Sequence, residues 1–70
     1  MKTLIIGHGK QAEEYSKVLL KNKIKIEGIC GRNSKVYNFA KNHNIKNIYL
    51  NISEALKNCE YDFVLVLITW

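Results

Sequence analysis

An α/β fold built on a four-stranded parallel sheet is what this sequence predicts, and three observations carry that expectation. Short apolar runs alternate with stretches of helical periodicity along the whole chain. The first apolar run stops at Gly7-His8-Gly9, and a helical pattern begins at once. The last run, Asp62-Phe63-Val64-Leu65-Val66-Leu67-Ile68, is the most strand-like stretch of all.

Each element follows from local pattern. Lys2 to Ile6 reads as a strand, and Leu4-Ile5-Ile6 lacks alternation, as expected when both faces are covered. From Lys10 to Asn22, Ala12, Tyr15, Val18 and Leu19 recur at helical spacing and predict a buried stripe that includes the Tyr15 ring. Glu13 and Glu14 in the first turn, with Lys17, Lys21 and Lys23 toward or past the end, suit the helix dipole, and Asn22 is a stop. Ile24 to Cys30 is a second strand, broken by Gly31-Arg32-Asn33-Ser34. Asn33 or Ser34 caps a second helix with Val36, Phe39, Ala40 and His43 on its apolar face, and Asn44 ends it. A short strand runs through Ile48-Tyr49-Leu50, and Asn51 with Glu54 resembles a capping box opening a third helix through Ala55 and Leu56. The order β-α-β-α-β-α-β with right-handed crossovers places the strands as 3-2-1-4, an incomplete Rossmann unit.

Size and composition narrow the function classes. A chain of 70 residues is one small domain at most, and buries only roughly 60% of its unfolded surface. Phe63 to Ile68 is the longest apolar run, too short to span a bilayer, and Met1-Lys2 leads into no signal-like segment. A net charge of +5 invites a nucleic-acid reading, but the lysines are spread evenly and never interleave with aromatics, so no nucleic-acid partner is expected. Cys30 and Cys59 stand in no C-x-x-C or zinc spacing, and His8 and His43 are far apart, so no metal site is readable. Reduced cysteines are the default of a cytoplasmic protein.

The glycine turn carries the chemistry. Gly7 permits a tight exit from the strand, Gly9 lets a phosphate approach the backbone, and Ala12 fills the third small position where helix and strand pack closely. Helix N–H groups then face the bound anion. Lys10 is not a Walker lysine, since that motif needs four residues between its glycines and a Ser or Thr after the lysine. It adds positive charge near a pyrophosphate or is a solvated helix start. His8 is read as contributing backbone rather than catalysis, and His43 as a core histidine.

The whole chain resembles the N-terminal segment of the glucose–fructose oxidoreductase and inositol dehydrogenase family (Gfo/Idh/MocA). The resemblance rests on Leu4-Ile5-Ile6-Gly7-His8-Gly9, Ile29-Cys30-Gly31-Arg32-Asn33, Phe39-Ala40, Ser53-Glu54-Ala55-Leu56 and Tyr61-Asp62-Phe63-Val64. It implies a cytoplasmic NAD(P)-dependent oxidoreductase of sugars or related small molecules, with residues 1–70 as a partial dinucleotide-binding domain and the substrate domain absent. The family's catalytic lysine lies in a Glu-Lys-Pro segment after strand five, so no catalytic residue is expected here and the chain is not expected to turn over alone. Many members carry a histidine where this chain has Tyr15, and the usual Thr-Pro after strand four is here Thr69-Trp70.

The acid that binds the ribose 2′-hydroxyl of NAD would fall, by the same resemblance, at Gly31. Its absence, with Arg32, Ser34 and Lys35 following, favours NADP over NAD. The expected cofactor site is therefore Gly7, His8, Gly9, Lys10, Gln11 and Ala12 together with Gly31, Arg32, Asn33, Ser34 and Lys35. Strand four, without a fifth strand beside it, is expected to expose an edge that promotes self-association. The competing expectation is a non-catalytic nucleotide-binding or partner-docking module, and the plainest one is a chain that binds nothing.

Overall fold

Unbroken apolar runs bury on both faces, and the first strand does so. In the computed structural model, which describes residues 1–68, β1 (Lys2–Ile6) lies between β2 (Lys25–Cys30) and β4 (Phe63–Val66). The strand β3 (Asn47–Tyr49) pairs on the far side of β2, giving the all-parallel order β3-β2-β1-β4. The helices are α1 (Lys10–Lys21), α2 (Lys35–Asn42) and α3 (Ile52–Asn58). The expected topology is thus the observed one, and Thr69 and Trp70 lie outside the described residues.

Two apolar layers sandwich the sheet. Ile5, Ile26 and Ile29 join Ala12 and Leu19 of α1 and Val36, Phe39 and Ala40 of α2 in one cluster. Leu4, Ile6 and Cys30 meet Ala55 and Cys59, at α3 and its end, in the other. Ile26 and Ile29 share a face although strict alternation would put them on opposite ones. The register explains it: Thr3 opposes Ile26 and Leu4 opposes Gly28, so Glu27 is an extra residue that reverses the parity of β2.

The predicted stripe of α1 is corrected. Ala12, Ser16 and Leu19 are its buried residues, whereas Tyr15 is 47% and Val18 55% exposed. The helix turns its small side chains to the sheet, which brings the backbones close, and this rotation swings Tyr15 and Val18 toward solvent. Ser16 is compatible with burial because its hydroxyl donates to the Ala12 carbonyl at 2.7 Å.

The α1 stop at Asn22 and the α2 cap at Ser34 fall on expected residues, while strand ends shift. The residue after the α1 cap Asn22, Lys23, takes the positive φ of 61°, while the Asn22 side chain donates to the Val18 carbonyl. Ser34 is the N-cap of α2 without a side-chain bond; Asn33 provides the acceptor instead, to the Lys35 N–H at 3.0 Å. Leu50 lies outside β3, which starts one residue earlier than expected, and β4 ends at Val66. His43 is half-buried at the α2 C-cap, its ring 4.4 Å from that of Phe39.

Candidate functional site

The chain leaves β1 through a turn that only glycine fits. Gly7 has φ +123°, and a Cβ there would collide with the Leu67 carbonyl. Its N–H donates to the Cys30 carbonyl at 2.8 Å, while Leu67 N–H donates to the Ile6 carbonyl at 2.7 Å. These bonds tie together the C-terminal ends of β1, β2 and the segment after β4. The crevice above them has a volume of about 750 Å³. It lies where open α/β sheets bind ligands, outside the carboxyl ends of the strands.

One wall is the start of α1. Gly9 is its N-cap, and no side chain caps the helix, whereas Asn33 and Asn51 place an acceptor at the first turns of α2 and α3. The Gly9 position has open space where a Cβ would be, so its glycine is not demanded by packing within the protein. Free helix N–H groups beside an open surface suit an anion. Lys10 and Arg32 are the cationic residues among those lining the crevice, and none of those described is acidic.

Gly7, His8, Gly9, Lys10, Gln11, Gly31, Arg32 and Asn33 are all brought to this crevice. Ala12 is completely buried beneath it, which fits a packing role. Ser34 and Lys35 are exposed and stand off the lining. The acid-free position 31 has a steric cause that the sequence did not reveal. A Cβ on Gly31 would stand 2.8 Å from the Cβ of Val36, which is fully buried at the start of α2.

Sequence reasoning missed the apolar wall. Leu50, in the loop after β3, and Ile52, the first residue of α3, line the crevice although they are 52% and 47% exposed. Leu67 and Ile68 join them from the far side of β1. The available signal was a pair of large apolar residues flanking the Asn51 cap, where a loop is ordinarily polar. Cys30 closes the floor; burial pushes its thiol pKa up, which keeps it protonated and unreactive. No cluster of three or more metal-ligating side chains occurs among the described residues. An anion-accepting turn with a cationic end and an apolar wall can hold a ligand that joins phosphates to flat rings.

No protein-family model and no curated protein sequence matches the chain. Solved structures do. An oxidoreductase from Agrobacterium radiobacter, in complex with NAD+, L-tartaric acid and magnesium, matches 99% of this chain with a TM-score of 0.92 at 22% identity. Myo-inositol 2-dehydrogenase from Lactobacillus plantarum matches 99% with a TM-score of 0.85 at 21% identity. Scyllo-inositol dehydrogenase from Lactobacillus casei, with bound NAD(H) and scyllo-inositol, matches 99% with a TM-score of 0.86 at 11% identity. The chain spans 21% of the length of each of the three. At these identities the shared property is the fold, that of a segment of these oxidoreductases, and inositol dehydrogenases are the kind of enzyme the sequence resemblance named.

Proposed function

We propose that this chain binds a nicotinamide dinucleotide across the crevice, as the N-terminal part of a Gfo/Idh/MocA-like oxidoreductase of a sugar or related small molecule. The observation that carries the reading is the uncapped start of α1 meeting Gly7 and Gly9 at the mouth of the crevice. The pyrophosphate lies against Gly9 and the first N–H groups of α1, with Lys10 supplying charge. Arg32 faces the adenosine ribose, and Leu50 and Ile52 offer an apolar surface to a ring. The bound cofactor supplies hydride-transfer chemistry; this chain's residues bind and orient it.

NADP is the proposed preference over NAD. Its support is local: Gly31 has no carboxylate to repel a 2′-phosphate, and Arg32 brings a guanidinium beside it. The matched structures that name a cofactor hold NAD+ or NAD(H), so the preference rests on these two residues of this chain. A cytoplasmic location and a substrate domain supplied by further chain belong to the same reading.

Thermal melting of the purified chain by circular dichroism tests it, alone and with NADPH or NADH. A ligand at one hundred times its dissociation constant that binds only the folded state stabilises by about 2.7 kcal/mol. The expected result is a rise with both dinucleotides, larger with NADPH; identical melts with and without them would defeat the proposal.

A second reading, a non-catalytic module that docks a partner or a second copy, has one observation behind it. Among the described residues β4 pairs only with β1, leaving its outer edge open, and Val66 is 59% exposed.

A further inference from the structure

The side chain that position 31 lacks is replaced in space by one from another element. A Cβ built on Gly31 would stand 2.5 Å from Cδ2 of His8, closer still than its 2.8 Å approach to Val36. The His8 imidazole therefore lies on the end of β2, at the place from which a residue-31 side chain would start. Both backbones that set this contact are pinned. The Gly31 N–H donates to the Tyr49 carbonyl at 3.0 Å, and Gly7, next to His8, is held by Cys30 at 2.8 Å.

The ring is placed to meet a ligand rather than to fill the core. His8 is half-buried and lines the crevice between Gly7 and Arg32. No side-chain hydrogen bond among the described residues engages it. Neutral imidazole carries one donor and one acceptor, the pair that a sugar hydroxyl requires, and unlike a carboxylate it does not repel a phosphate.

Resting on the dinucleotide reading above, we infer that His8 is a specificity-determining residue: its imidazole, standing where residue 31 has no side chain, meets the adenosine ribose and works with Arg32 to accept a 2′-phosphate. The selectivity of this site is then set by a residue of the glycine turn after β1, beside the position after β2 that carries it in the resemblance.

Nicotinamide fluorescence titrations of the full chain with NADPH and NADH test this, using His8→Ala, His8→Gln and Arg32→Ala. Loss of a hydrogen bond to a charged group predicts about tenfold weaker NADPH binding for His8→Ala, with a smaller loss for NADH. His8→Gln keeps a donor and an acceptor and recovers part of the loss. Unchanged affinities for both dinucleotides in His8→Ala, while Arg32→Ala weakens NADPH, would overturn this inference and leave the nucleotide reading standing. If the unaltered chain binds neither dinucleotide, both fall together. The spatial claim has its own readout: Gly31→Ala lowers the melting temperature in the parent and lowers it less in His8→Ala. Equal losses in the two backgrounds would show that the ring does not occupy that space.

Discussion

The helices α1 and α3 both start where the chain leaves the C-terminal end of a strand, yet their first turns are finished in opposite ways. At α3, Asn51 accepts from the Glu54 N–H at 3.2 Å, so a helix of 7 residues carries its own cap. At α1, a helix of 12 residues, the N-cap is Gly9 and no side chain serves it. A glycine cap is weaker than a Ser or Asn cap by only about a few tenths of a kcal/mol, so the longer helix forgoes little stability by leaving its first N–H groups free. The difference separates a helix whose first turn is served by its own side chain from one whose free N–H groups face a crevice. The missing cap is as informative as any side chain present.

The largest expected effect comes from the turn that aims α1. Gly7→Ala puts a Cβ against the Leu67 carbonyl at φ +123°, so relief requires moving β1 or the end of β4. Backbone strain with a steric collision costs about 2–3 kcal/mol. In a domain this small each kcal/mol moves the melt by about 4–8 °C. Thermal melting of Gly7→Ala is expected to show an unfolded or strongly destabilised chain. A parent-like melt would mean that the turn does not hold α1 as described.

How much of this contrast the sequence disclosed depends on what each feature answers to. The alternation of elements and the exit at Gly7 are local in origin, and local pattern revealed them. Asn51 and Glu54 sit at the spacing of a cap, and the acceptor role of Asn51 was legible for the same reason. Tyr15 was misplaced because helical periodicity defines a stripe but not how close the helix sits; Ala12 and Ser16 decide that by their size. Ile26 and Ile29 share a face only because Glu27 is an insertion relative to β1, a fact held in the pairing of two strands. In sequence Gly31 reads as a lost acid, whereas Val36 and His8, from two other parts of the chain, close the space around it. The Leu50 and Ile52 wall was hidden likewise, since β3 sets where that loop stands.

The capped helix offers the intermediate effect. Asn51→Ala leaves the Glu54 N–H without its side-chain acceptor and is expected to cost about 1 kcal/mol. The melt should fall by several degrees, about 4–8 °C, while NADPH affinity measured by fluorescence stays at the parent value, because Asn51 does not line the crevice. A drop in affinity out of proportion to the drop in stability would erase the division of labour between the two helices.

Giving α1 the cap it lacks is the smallest change in stability and the sharpest probe. Gly9 has φ −87° and ψ −163°, a backbone open to serine, and a Cβ there meets no protein atom within 4 Å. In Gly9→Ser the hydroxyl can accept from an N–H of the first turn, and the change from glycine is worth only a few tenths of a kcal/mol. Were α1 merely a packing helix, the variant would be slightly more stable and otherwise indifferent. If its first turn receives a pyrophosphate, the same hydroxyl competes for the N–H groups, and its Cβ fills the approach that the open backbone allows. The melt without ligand should then hold or rise while NADPH binds more weakly. Stability and affinity moving in opposite directions is a result that damage to the fold cannot produce, since a weakened fold lowers both. Equal or tighter binding in Gly9→Ser would instead return α1 to the same class as α3.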